Sequence, residues 1–98
     1  MARVFIPASL RTLTDGRAEL IVEGRTLRLV IEQLDRAYPG LAEVLIAGGR
    51  IRPGLQLAIN GVVAASGLLE PVPDDAEVHI LPAIGGGTAG TGPQPSPR

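Results

Sequence analysis

The sequence predicts a two-layer α+β domain. Three observations point there: one clear amphipathic helix, several short strand-like segments on either side of it, and too little material for a second core. A lone helix among strands buries its apolar stripe by lying across one face of their sheet. The chain has 98 residues, 45 % of them apolar, which is enough for one core and not for two. That core must be aliphatic, because there is one Phe, one Tyr and no Trp.

Ala2 to Pro7 reads as a strand with Val4 and Ile6 on one face and Arg3 and Phe5 on the other. Asp15-Gly16 marks a turn, and Ala18 to Glu23 resume strand-forming residues, so the first two segments form a hairpin with a long connection. Thr26 offers a capping hydroxyl, after which Leu27, Val30, Ile31, Leu34, Ala37 and Tyr38 recur at helical spacing. Pro39-Gly40 ends that helix. Leu41 to Ile46 reads as one further helical turn, closed by Gly48-Gly49, and Arg52-Pro53-Gly54 as another break. Leu55 to Asn60 places Leu55, Leu57 and Ile59 on one face, and Asn60-Gly61 turns the chain into Val62-Val63. Beyond the polar stretch Pro71 to Asp75, Glu77 to Pro82 is a last strand with Val78 and Ile80 inward and His79 and Leu81 outward.

Three glycines follow, Gly85 to Gly87. The remaining residues, Thr88 to Arg98, comprise only Thr, Ala, Gly, Pro, Gln, Ser and Arg. Such a composition buries too little apolar surface to offset the entropy of ordering, so this tail is expected to be disordered. The predicted organisation is a folded domain over residues 1–84, a glycine terminus at 85–87 and a tail at 88–98.

Composition excludes several functions. A net charge of −1 with scattered arginines gives no polyanion-binding surface and no nucleic-acid partner. The absence of Cys removes disulfides, thiolate metal sites and a Cys nucleophile, and fits a reducing cytoplasm. No stretch has the length of an export signal or a membrane span, so the expected location is cytoplasmic. His79 lacks companion donors at metal-ligand spacing and is expected as an exposed strand residue. Gly48-Gly49-Arg50 lacks the Lys and the frame of a phosphate loop. Ser9 and Ser66 have no base partner, and Asp74-Asp75 are turn formers. No enzyme, bound cofactor or resident metal is predicted.

The segments "ARVFIPASLR", "TLRLVIEQLDRAYPGL", "LAINGVV" and above all "PDDAEVHILPAIGGG" resemble, in order and spacing, the MoaD/ThiS sulfur-carrier family. The resemblance covers residues 2–87 and implies the β-grasp fold of ubiquitin, with a mixed sheet of four to five strands and one main helix across it. It also implies a chemistry. A ubiquitin-activating-type enzyme uses ATP to adenylate the carboxylate of the last glycine, and a sulfur donor then yields a thiocarboxylate for a downstream synthase. Glycine suits a terminus that threads a narrow site, because it is thin and free in φ and ψ.

Family members commonly end at Gly-Gly, whereas here eleven residues follow Gly87. Aligning Pro82-Ala83-Ile84 with the usual lead-in makes Gly86-Gly87 the reactive pair and Gly85 a spacer. Processing is then required between Gly87 and Thr88, and relatives with tails imply a JAMM-type zinc protease as partner. Against this stands the plainer reading of the glycines as a flexible joint to a tail. Phe5 and Leu81 are either ordinary surface scatter or a docking patch for the adenylating enzyme, completed by His79, Pro82, Ile84 and Gly85. All nine basic residues are Arg. Codon usage accounts for that, as does avoidance of surface amines that would attack an activated terminus. Two further functions stay open: a protein modifier conjugated to target amines, and a β-grasp interaction domain with a passive linker.

Overall fold

In the computed structural model, which describes residues 1–82, strands β1 (Ala2–Phe5) and β2 (Glu19–Val22) form the expected antiparallel hairpin. Ala2, Val4 and Ile6 are buried while Arg3 is exposed, as period-two alternation requires. The long connection is ordered into 3-10 turns over Ala8–Thr14. No apolar period announces them, because they are held by polar contacts. The fully buried Thr14 donates its hydroxyl to the Arg17 carbonyl at 2.9 Å, and Arg11 Nε donates to the Ile6 carbonyl at 3.0 Å.

Helix α1 (Leu27–Ala37) starts at Thr26, whose Oγ1 accepts the Leu29 N–H at 3.3 Å. Leu27, Val30, Ile31 and Leu34 are its buried stripe. Gly24 lets the chain pass close beneath the helix start, since a Cβ there would lie 2.7 Å from the Val30 nitrogen. The short helix α2 (Leu41–Leu45) is joined to α1 through Asp35, whose Oδ1 accepts the N–H groups of Gly40 at 3.0 Å and Ala42 at 3.1 Å.

Here the structure corrects the sequence reading. The helical turn stops at Leu45, and Ile46 opens β3 (Ile46–Ala47), which pairs antiparallel with β4 (Arg50–Ile51). Gly48 and Gly49 form the turn of this small second sheet rather than the end of a helix. Their φ values of 60° and 76° suit two adjacent left-handed positions in a tight hairpin.

Strands β5 (Leu55–Ile59), β6 (Val62–Val63) and β7 (Glu77–Pro82) complete the main sheet, in the order β2-β1-β7-β5-β6. The last strand is central, parallel to β1 and antiparallel to β5. Between the sheet and the helices lies an aliphatic core of Val4, Ile6, Leu20, Leu57, Val78 and Ile80 against the buried side of α1 and Leu41 and Leu45 of α2. This is the mixed α+β arrangement expected from the sequence. The central strand ends at Pro82, and in the sequence Ala83 and Ile84 separate it from the glycine run.

Candidate functional site

The face of the sheet turned away from α1 carries a row set by strand register. Glu19 lies opposite Phe5, Phe5 opposite His79, His79 opposite Ala58, and Ala58 opposite Val63, so one row crosses all five strands. At its centre the rings of Phe5 and His79 stack, 4.4 Å between centroids and 9° between planes. Leu81 stands two residues further along β7, opposite Gln56, and is 40 % exposed. Val63 is 50 % exposed at the sheet edge. The result is an apolar band leading from the sheet toward the strand end that feeds the glycines.

One step the other way the face becomes charged. Arg3 Nη1 donates to Glu19 Oε2 at 3.3 Å, its Nη2 lies 4.0 Å from Glu77 Oε2, and the guanidinium sits 6.0 Å from the centroid of the Phe5 ring. His79 Nε2 is 3.6 Å from Glu77 Oε1. Such exposed pairs add little stability, but they confine the charges to one border of the apolar band.

The structure therefore brings Phe5 and His79 into contact and places Leu81 on the same face, with Pro82 exposed at the end of β7. The outward orientation read for Phe5, His79 and Leu81 holds. Ile84, Gly85, Gly86, Gly87 and Thr88 lie outside the described residues, as do the expected domain end at 84 and the tail. Of the apolar members of the row, two escaped the sequence reading. Val63 belongs to a two-residue strand, too short for alternation to reveal a face, and Ala58 is too small to mark one. The signal was the Asn60-Gly61 turn, because a two-residue loop fixes the pairing of Ile59 with Val62 and Ala58 with Val63.

A groove of about 820 Å³ lies among α1, the β3–β4 hairpin and the turn at Gly67–Leu69. Ile31, Ile46, Ile51 and Leu68 line it together with Arg28, Glu32 and Arg50, and none of the predicted site residues does. Among the described residues no group of three or more His, Asp or Glu side chains is placed to hold a metal ion, and no helix is long and apolar enough to cross a membrane.

Comparison with known proteins agrees with the fold. The sequence profile of the ThiS family matches residues 4–87. The sulfur carrier protein CysO of Mycobacterium tuberculosis (strain ATCC 25618 / H37Rv) is 34 % identical over 89 residues, covering 86 % of this chain and 96 % of that protein. The crystal structure of Mycobacterium tuberculosis CysO superposes with a TM-score of 0.82 at 30 % identity, over 86 % of this chain and 100 % of that one. A chain of the Amycolatopsis orientalis BexX/CysO complex gives 0.83 at 25 % identity, over 87 % and 98 %. The small archaeal modifier protein 1 (SAMP1) of Methanosarcina acetivorans gives 0.72 at 27 %, over 85 % and 92 %. With a profile match that spans most of its length and a sheet that superposes on these β-grasp structures, this chain belongs to the ThiS family of ubiquitin-like proteins.

Proposed function

We propose that this chain is a sulfur carrier whose working group is the carboxylate of Gly87, freed by removal of Thr88 to Arg98. The observation that carries the reading is the extent of the family match, which runs through the glycine run and stops at residue 87, where the tail begins. In this reading the freed carboxylate attacks the α-phosphorus of ATP on a ubiquitin-activating-type enzyme, and pyrophosphate leaves. A sulfur donor then supplies the nucleophile that adds to the acyl carbon, AMP departs, and a thiocarboxylate results. The chain contributes no acid, base or metal to these steps. It contributes a thin terminus, Gly86-Gly87, and a docking face.

That face is the band of Phe5, His79 and Leu81, continued by Pro82, Ile84 and Gly85 toward the terminus. An apolar patch bordered by ion pairs has the composition of a protein interface. The solved relative in the BexX/CysO complex supports a protein partner for this fold. Cytoplasmic residence and a JAMM-type protease as the processing partner belong to the same proposal. The likeness to SAMP1 favours a second reading, in which the activated glycine is transferred to amines of other proteins.

The first experiment is intact-mass analysis of the protein from its native host. A mature chain ending at Gly87 is expected. Full-length chain alone, in cells that contain the protease, would contradict both readings.

A further inference from the structure

We propose that two copies of this chain pair through the free edge of β2, antiparallel about Leu20, so that their main sheets join into one. β2 lies at the edge of the main sheet and pairs only with β1. The Ile6 N–H donates to the Ala18 carbonyl at 2.8 Å, so by the alternation of an antiparallel pair Leu20 and Val22 also exchange bonds with β1. The N–H and C=O groups of Glu19 and Ile21 then point away from the sheet. Among the described residues no bond to another element engages them. Sheets ordinarily blunt such an edge with proline, a bulge or a very short strand. The opposite edge does so, since β6 has two residues, whereas β2 has four, with no proline, and its Ile21 is 61 % exposed.

Charge selects the occupant and the register. Arg17 and Glu23 lie three residues on either side of Leu20 with opposite signs. Both are exposed, and among the described residues neither has an ion partner. Arg17 starts from a fixed point, because its N–H donates to the Thr14 carbonyl and its own carbonyl accepts the Thr14 hydroxyl, each at 2.9 Å. A second copy turned about a two-fold axis at Leu20 sets its Glu23 opposite Arg17 and its Arg17 opposite Glu23. Glu19 and Ile21 then exchange backbone bonds with Ile21 and Glu19 of that copy. The two Ile21 side chains become diagonal neighbours on the outer face and cover apolar surface that each chain alone exposes. Moving the axis to Ile21 sets Glu19 opposite Glu23, and moving it to Glu19 sets two Glu19 carboxylates against each other, so like charges disfavour both alternatives. The joint leaves the band of Phe5, His79 and Leu81 uncovered. Both bands then lie on one side of a continuous sheet, five strand spacings or roughly 24 Å apart.

A short edge and exposed ion pairs make a weak dimer, so the test is sedimentation equilibrium of the full chain at concentrations rising to about 1 mM. The native chain is expected to rise from the mass of one copy toward that of two. Glu23→Arg and Arg17→Glu each set like charges opposite one another and are expected to weaken pairing about tenfold. Combining the two substitutions restores opposite signs, and pairing is expected to return to within about threefold of native. Ile21→Pro removes an outward N–H without touching a bond to β1 and is expected to weaken pairing at least as much as either charge reversal. Thermal unfolding checks that each variant is folded. A native chain that stays monomeric throughout would overturn the inference and leave the edge to a strand of another protein. A dimer that survives Ile21→Pro, or a double variant as weak as the single ones, would place the contact on another surface and overturn it as well.

Discussion

Phe5 and His79 meet because β1 and β7 are parallel neighbours in a register that pairs them, and both side chains point away from the helices. Leu81 is exposed and Phe5 half-buried against His79, so a charge at Leu81 meets solvent in the free protein. Phe5→Glu and Leu81→Glu are each expected to weaken binding to the activating enzyme about tenfold or more; the unfolding midpoint changes little for Leu81→Glu, whereas Phe5→Glu also loses the stack on His79 and sets a carboxylate opposite Glu19. Unfolding of the Leu81 variant would contradict the assignment of faces. Gly24 makes the opposite prediction, because its bare Cα lies under the start of α1. Gly24→Ala forces a methyl against the Val30 backbone and is expected to cost about 1–3 kcal/mol in urea unfolding. Unchanged stability would show that the helix start can shift freely.

At the level of elements, legibility followed the length of the periodic segment. α1 was readable from Thr26 to Tyr38, since its cap, its four buried residues and its stop all agree. The faces of β1 and β7 were readable because alternation extends over four to six residues. The β3–β4 hairpin was not, because two-residue strands have no period and Gly48-Gly49 serves equally as a helix stop or a turn. The 3-10 turns before β2 were missed because buried Thr14 and Arg11 hold them through backbone carbonyls, a pattern with no sequence period. Leu34→Ala and Ile80→Ala, both in the core between sheet and helix, are expected to cost about 2–5 kcal/mol each. Thr26→Ala, which removes only a cap hydrogen bond, is expected to cost about 1 kcal/mol. Denaturant unfolding of the three variants side by side checks that ranking, and a cap variant as damaged as the core variants would contradict it.

For the molecule as a whole, the central position of β7 links stability to presentation. The strand is anchored between β1 and β5 and ends at Pro82, beside the apolar band. Of the candidate site, the outward residues of β1 and β7 were legible in the sequence, while the breadth of the band across β5 and β6 required the register. If the tail adds no folding contacts, a chain ending at Gly87 unfolds at the same midpoint as the full chain and differs from it only in reactivity. Gly86→Val in the shortened chain should likewise keep the fold but suppress adenylation, because a β-branched side chain widens the terminus and restricts its φ and ψ. The most direct measurement incubates the full chain and the chain ending at Gly87 with the activating enzyme, ATP and a sulfur donor, and weighs both by intact-mass spectrometry. The account predicts that only the shortened chain gains the mass difference of one oxygen exchanged for sulfur. A shortened chain that is adenylated yet takes up no sulfur, and is instead joined through Gly87 to amines of other proteins, would contradict it.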